Sequence, residues 1–262
     1  MIDSRAVVDS RAVVDSSAKI GKDVIVEAYA WIGADVELGE GCWVGPHAVI
    51  KGPTSLGRGN KVFQFSSIGE EPQDKKFSGE ETRLEIGDRN LFREYSTVNR
   101  GTVQGGGITR IGNDNWIMTA VHIAHDCQVG NHTIFSNNAS LAGHVTVDNH
   151  AILGGFTLVH QFCAIGAYCF TAMGSVIPKD VPPYVLVSGH MAKPYGLNTE
   201  GLKRNEYSSA TIRELRRAYK LLYKSGLSLQ DALAEMKYSA QQCPEVANFL
   251  AFIENSSRGI IR

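Results

Sequence analysis

From Ile2 to Ile68 a branched aliphatic residue falls on every sixth position: Ile2, Val8, Val14, Ile20, Val26, Ile32, Leu38, Val44, Ile50, Leu56, Val62 and Ile68. Ile86, Phe92 and Val98 resume in the same phase. After a one-residue slip a second train runs Ile111, Ile117, Ile123, Val129, Phe135, Leu141, Val147, Leu153, Val159, Ile165, Thr171, Ile177. A helix would repeat apolar residues three and four apart, and a half-buried strand every two, so a strict period of six fits neither. It is the hexapeptide repeat of a parallel β-helix, each repeat giving one short strand and a turn. A small or medium side chain four residues later, as at Val24, Ala30, Val36, Cys42 and Ala48, marks a second inward position. Glycine often follows the aliphatic, as in Ile20-Gly21, Leu38-Gly39 and Ile111-Gly112, and is expected to supply the backbone freedom of each corner. Three hexads make a triangular coil of eighteen residues, with coils stacked about 4.8 Å apart.

The mainly β fold expected is therefore a parallel β-helix over residues 1–187, followed by a helical domain over 188–262. The period breaks twice, near 70–84 and near 101–108, and polar loops leaving a rigid solenoid are favoured places for binding residues. In the tail Ile212, Leu215, Tyr219 and Leu222 recur at helical spacing and Gly226 ends the run. Ser228 with Asp231 resembles a capping box, and Pro244 suits the start of a further helix carrying Val246, Phe249, Leu250 and Ile253.

With 262 residues and a net charge of -1, the chain offers no global basic field for nucleic acid. Its first residues contain no apolar run of signal-peptide length, and no stretch suits a membrane span, so a cytoplasmic protein is expected. Cys42, Cys127, Cys163 and Cys169 occupy inward positions and read as small buried hydrophobes; no CxxC pair points to zinc or a disulfide framework. The duplicated DSRAVV of residues 3–8 and 9–14 keeps the phase and reads as ordinary coil.

Chemistry concentrates in the histidines, none of which takes an inward position. His122, His125, His144 and His160 fall in five adjacent columns of the coil over three successive coils, whereas His132 and His150 share another column and read as stacking. Gly143 lies one coil above His125, which leaves room beside an imidazole and exposes a backbone N–H. Acyl transfer needs that pairing, a base near neutral pKa and a donor for the developing oxyanion. Asp126 could orient His125 only where the chain turns. A zinc site built from three histidines competes, as does a purely structural solenoid.

The runs Ala120-Val121-His122-Ile123-Ala124-His125-Asp126-Cys127, Asn137-Asn138-Ala139-Ser140-Leu141-Ala142-Gly143-His144 and Val159-His160-Gln161-Phe162 closely resemble the acyl-[acyl-carrier-protein]–UDP-N-acetylglucosamine O-acyltransferases of lipid A synthesis. So do Ile86-Gly87-Asp88-Arg89-Asn90, Arg100-Gly101-Thr102-Val103-Gln104-Gly105-Gly106-Gly107, Asp180-Val181-Pro182-Pro183-Tyr184 and Glu200-Gly201-Leu202-Lys203-Arg204, so the match spans the helical tail as well. The resemblance implies a left-handed β-helix and a homotrimer with active sites between subunits. It implies His125 as general base toward the glucosamine 3-hydroxyl, the Gly143 N–H as oxyanion donor and Asp126 as the group that steadies His125. It also implies Lys76, His122, His144 and His160 lining the site, Gln73 and Asp74 at the substrate, and Gln161, Asn198, Glu200 and Arg204 at the nucleotide end. It implies no cofactor and no metal. Met191 and Asn205 stand where relatives often carry histidine and arginine.

The resemblance places Met173 at the end of the acyl groove, where a thioether would shorten the accepted chain to 3-hydroxydecanoyl length. Two relatives of the same chemistry stay open, the reaction on a 3-amino UDP-sugar and a related N-acyltransferase. The acidic acyl carrier protein that brings the 3-hydroxyacyl thioester calls for a basic patch. Lys203, Arg204, Arg213, Arg216 and Arg217 are candidates, although a charge run is usually a solvated face.

Overall fold

The computed structural model of the chain describes residues 1–262. Residues Val7 to Ile177 wind as a left-handed parallel β-helix whose two- to four-residue strands form three parallel sheets, and two later strands bring the first of these to eleven beside sheets of nine and eight. Register follows the period: Val7 pairs with Ile25, Trp31 with Val49 and Ile134 with Ile152, each eighteen residues on. Within a strand the first residue faces outward and the second inward, so Ile32, Val62, Ile123, Leu141 and Ile165 are fully buried. Full burial of one such side chain is worth roughly 1.5–3 kcal/mol, and the column repeats it in every coil.

The excursions are counted by the same register. Lys61 pairs with Leu91, a step of 30 instead of 18, and the twelve extra residues are two whole hexads, so phase is kept. Leu91 pairs with Trp116, a step of 25, and the seven extra residues are the source of the slip. Both excursions leave the prism between the nine-stranded and eight-stranded sheets, along one edge.

The corners are not made as the glycine pattern suggested. Positive φ sits three residues after the inward aliphatic, mostly on residues other than glycine: Asp23, His47, Phe65, Asp126, His144 and Tyr168 all lie between 56° and 65°. The glycine right after the aliphatic serves another need. A Cβ on Gly39 would come within 2.5 Å of the Gly57 carbonyl oxygen, so close approach of the next coil excludes it. Left-handed corners also stack their side chains from coil to coil, as in Tyr29, His47, Phe65 and Tyr95, with ring centroids 5.0–5.4 Å apart.

One inward column is polar, which the period did not announce. Asn60, Asn90, Asn115 and Thr133 are buried above one another. Asn90 donates its backbone N–H and its amide to Asn60 Oδ1 at 2.9 and 3.0 Å, and its own Oδ1 accepts from the Asn115 N–H. Buried amides stand in a core only when paired in this way. The inward cysteines fit the hydrophobe reading: burial raises the Cys127 thiol to about 12 and the Cys163 thiol to about 11.

Past residue 187 the sheet continues. Val185–Ser188 adds the last parallel strand, and Lys193–Leu197 folds back on it antiparallel, so helices begin only at Thr199. A short helix α1 (Thr199–Arg204), absent from the sequence reading, precedes α2 (Ser209–Tyr223), α3 (Leu229–Gln242) and α4 (Pro244–Glu254). Ser208 and Ser228 cap α2 and α3 by accepting from the Thr211 and Asp231 N–H groups. The C-terminus returns to the prism: Asp180 accepts from the Ala164 N–H and the Ser256 hydroxyl, and its backbone forms an isolated parallel bridge with Ile260. No helix is long and apolar enough to cross a membrane.

Asn90→Ala takes the side-chain partner from the Asn115 N–H and the Gly112 carbonyl and one of two donors from Asn60 Oδ1. It is expected to lower the urea midpoint by the equivalent of about 3 kcal/mol with an unchanged m-value, measured by far-UV circular dichroism.

Candidate active site

The loop edge that releases both excursions is also the histidine edge. His125 is the last residue before the left-handed corner at Asp126, whose φ is 63°. In a straight strand neighbouring side chains diverge; the corner brings these two back together. His125 Nδ1–H donates to Asp126 Oδ2 at 2.7 Å, which leaves Nε2 as the free face of the ring. The Asp126 side chain is 1% exposed and the His125 side chain 14%.

Asp126 is held on every side. Thr102 donates its backbone N–H to Oδ1 and its hydroxyl to Oδ2, both at 2.7 Å. The Asp126 backbone N–H donates to Thr109 Oγ1 at 2.7 Å. Thr102 and Thr109 bracket the second excursion, so that loop is built around the carboxylate. Neither threonine was singled out from the sequence; the only signal was that the loop sits one coil before His125.

Gly143 lies against the imidazole as the coil arithmetic requires. A Cβ there would stand 2.5 Å from His125 Cε1 and 2.8 Å from Nε2. Its N–H makes no hydrogen bond within the chain, so a free donor remains beside the ring. His144 occupies the next corner, stacked on Phe162 at 4.4 Å and edge-on to His125 at 5.3 Å. Its Nε2 lies 3.5 Å from Asp126 Oδ2. His122 sits one strand earlier, its Nδ1 2.7 Å from Thr97 Oγ1. Desolvation holds the His122 pKa below its ordinary value, helped by the charge of His125. His160 and Gln161 share the edge one coil on and are exposed; His160 Nδ1 meets the Gln161 carbonyl at 3.1 Å.

Other expected site residues stand apart within one chain. Gln73, Asp74 and Lys76 leave the histidine edge two coils earlier, on an exposed loop where Asp74 accepts from the Lys76 N–H. Asn198 caps α1 and donates to the Tyr168 carbonyl, which lies on the edge between the eight- and eleven-stranded sheets. Glu200 pairs with Lys203 at 2.9 Å, while Arg204 is exposed and carries no ion pair. Met173 is 80% exposed on the third edge, beside the corner at Gly174. Lys203, Arg213 and Arg217 are engaged with Glu200 or Glu214, and Arg216 has no ion pair. Met191 is exposed, and Asn205 bonds back to the Gly201 carbonyl.

The zinc reading needs ligand atoms turned to one point. His125, Asp126 and His144 do place theirs within 4.8 Å. Asp126 already has its lone pairs engaged within the chain: Oδ2 accepts from His125 and Thr102 together, and Oδ1 accepts from the Thr102 peptide N–H.

Fold and edge together define a hexapeptide-repeat acyltransferase. Residues 108–143 match the bacterial transferase hexapeptide repeat, and residues 180–261 match the second domain of UDP-N-acetylglucosamine O-acyltransferase. The acyl-[acyl-carrier-protein]–UDP-N-acetylglucosamine O-acyltransferase of Halorhodospira halophila is 52% identical over 261 residues, covering 100% of this chain and 99% of that one. That of Thiobacillus denitrificans is 53% identical over 78% of this chain and 79% of its own. Among solved structures, the UDP-N-acetylglucosamine O-acyltransferase of Moraxella catarrhalis superposes with a TM-score of 0.89 at 43% identity, covering 100% of this chain and 99% of that one. The chain belongs to the acyl-[acyl-carrier-protein]–UDP-N-acetylglucosamine O-acyltransferase family.

Because its folded pKa is depressed, His122 stays neutral where the unfolded chain already takes up a proton, near 6.5. Its contribution is whole above that value and is lost as pH falls through it. The thermal midpoint is expected to drop between about pH 7.5 and about pH 5.5, and less steeply in His122→Gln, followed by differential scanning fluorimetry.

Proposed function

We propose that the chain transfers a 3-hydroxyacyl group from acyl carrier protein to the 3-hydroxyl of UDP-N-acetylglucosamine, the first step of lipid A biosynthesis. The observation that carries this reading is the contact of His125, paired to Asp126, with the bare backbone of Gly143. His125 Nε2 removes the proton of the 3-hydroxyl as that oxygen attacks the thioester carbonyl. Asp126 keeps the ring in the tautomer with Nε2 unprotonated and stabilises the imidazolium. The Gly143 N–H receives the oxyanion, a role that commonly contributes about 2.7–4 kcal/mol. The C–S bond then breaks, and the carrier thiolate takes the proton from His125.

The reading includes a homotrimer. His125, Met173 and the α1 residues Glu200 and Arg204 lie on or beside three different edges of one prism, so one copy alone does not surround a substrate. A neighbouring copy would close the site. The outward face of the eleven-stranded sheet also presents Val7, Ile25 and Trp116, exposed by 63%, 41% and 46%, beside Trp43 and Ile134. Apolar strips of this length mark association surfaces, and a closed ring buries each one. In this assembly Gln73, Asp74, Lys76, His144, His160, Gln161 and Asn198 line or support the cleft. Five cysteines without a disulfide suit the cytoplasm.

Within that cleft Met173 ends the acyl channel and sets a donor of 3-hydroxydecanoyl length. Met173→Gly is expected to accept 3-hydroxymyristoyl carrier protein at least about tenfold better than the parent, a gain on the scale of the few methylene groups newly buried. No gain with longer donors, in a mass-spectrometric product assay, removes the ruler.

The primary test mixes UDP-N-acetylglucosamine with 3-hydroxyacyl carrier protein. His125→Ala is expected to lower kcat by about 10²–10⁴, the usual worth of a general base. Parallel reactions with the 3-amino sugar nucleotide and with chelator test the neighbouring chemistries. Full turnover by His125→Ala overturns the mechanism.

A further inference from the structure

The carboxylate of Asp126 faces two imidazoles, not one. Oδ2 lies 2.7 Å from His125 Nδ1 and 3.5 Å from His144 Nε2, and both rings belong to the same edge. Rotation about the side chain would trade one partner for the other. What opposes that rotation is Thr102: its N–H fixes Oδ1 and its hydroxyl fixes Oδ2, each at 2.7 Å. Gly105, three residues past it, closes the space behind the carboxylate, since a Cβ there would overlap the Asp126 carboxyl carbon. The Thr102 hydroxyl also accepts from the Gly105 N–H at 3.2 Å, tying clamp and wall into one turn.

We infer that Thr102 is a positioning residue, which locks the Asp126 carboxylate onto His125 and denies it to His144. The inference rests on His125 being the base. Thr102 reaches no substrate atom in this reading; it acts only through Asp126. The other groups about the carboxylate are Thr109, on its backbone N–H, the buried Cys127 that follows it, and His122, which feels the charge of His125. Of these only Thr102 grips both oxygens.

The clamp has a signature that a scaffold role lacks. Without the hydroxyl, Oδ2 is free to turn to His144, and His125 loses part of its anionic partner. An imidazole that loses a nearby carboxylate becomes less basic. The acid limb of kcat/KM, which reports the base in the free enzyme, should therefore move to lower pH.

Thr102→Val keeps the β-branch and the backbone donor and deletes only the hydroxyl. It is expected to lower kcat by about ten- to a hundred-fold, the scale of one hydrogen bond to a charged group. KM for UDP-N-acetylglucosamine should stay near the parent value, and the acid limb should shift downward. Thr102→Ser should restore both, and Thr102→Val combined with Asp126→Ala should be no slower than Asp126→Ala alone. All variants are measured as the full chain, with thermal melts to show the folded fraction. An unmoved or upward-moving limb, an unchanged kcat, or additivity with Asp126→Ala overturns the clamp. His125→Ala separates the two ideas: if it stays active the base assignment fails, and if it is inactive while Thr102→Val behaves as the parent, only the clamp fails.

Discussion

The N–H of each strand residue finds its carbonyl one coil away, as from Val13 to Ala30 and from Trp31 to Ala48, both at 2.9 Å. This ladder converts distance along the chain into height along the prism. A residue's neighbours above and below are fixed by register, and its own conformational preference matters little. Two-residue strands would be unstable alone; they persist because every coil is bonded to the next and buries its aliphatics against them. The excursions obey the same rule, since their extra residues leave the prism and the coil resumes in place.

The chemistry is a product of that winding. Consecutive residues in a strand point apart, so His125 and Asp126 meet only because a left-handed corner falls on Asp126. Gly143 reaches the ring because it is one coil above and lacks a Cβ. The second excursion then covers the carboxylate with Thr102 and Gly105, and the pair sits half-sheltered on an edge. Rigid coils fix the partners to within hydrogen-bond distance, the precision that the proposed base and its orienting carboxylate require.

Much of this was legible beforehand because the period is strict. Knowing the coil length was enough to place Gly143 over His125 and to gather His122, His144 and His160 on one edge. The glycines were misread, since a repeat at one position looks the same whether it serves a turn or a close approach. The asparagine column was missed because Asn60, Asn90 and Asn115 interrupt an apolar pattern without breaking its spacing. Helix α1 went unseen because its six residues bury only Leu202. Thr102 carries no periodic signal at all, and its role depends on a contact 24 residues away in the chain. The residues dispersed over three edges were reachable only through resemblance, because spacing in one chain says nothing about its neighbours.

The prism has two unlike ends. At its C-terminal end the strand edge is sealed: Ile260 and Ile261 are buried, Asp180 ties them down and the helices cover what remains. At its N-terminal end Val8 and Val14 are only half-buried, and the strands at Val7 and Val13 are the outermost of their sheets, while Met1 to Asp3 pair along the strand at Lys19. Asp3, Arg5, Asp9 and Arg11 crowd that rim with charge. Charged rims of this kind deter stray strands from adding to an open sheet, so the molecule can leave one face of its stack unfinished without growing into a fibre.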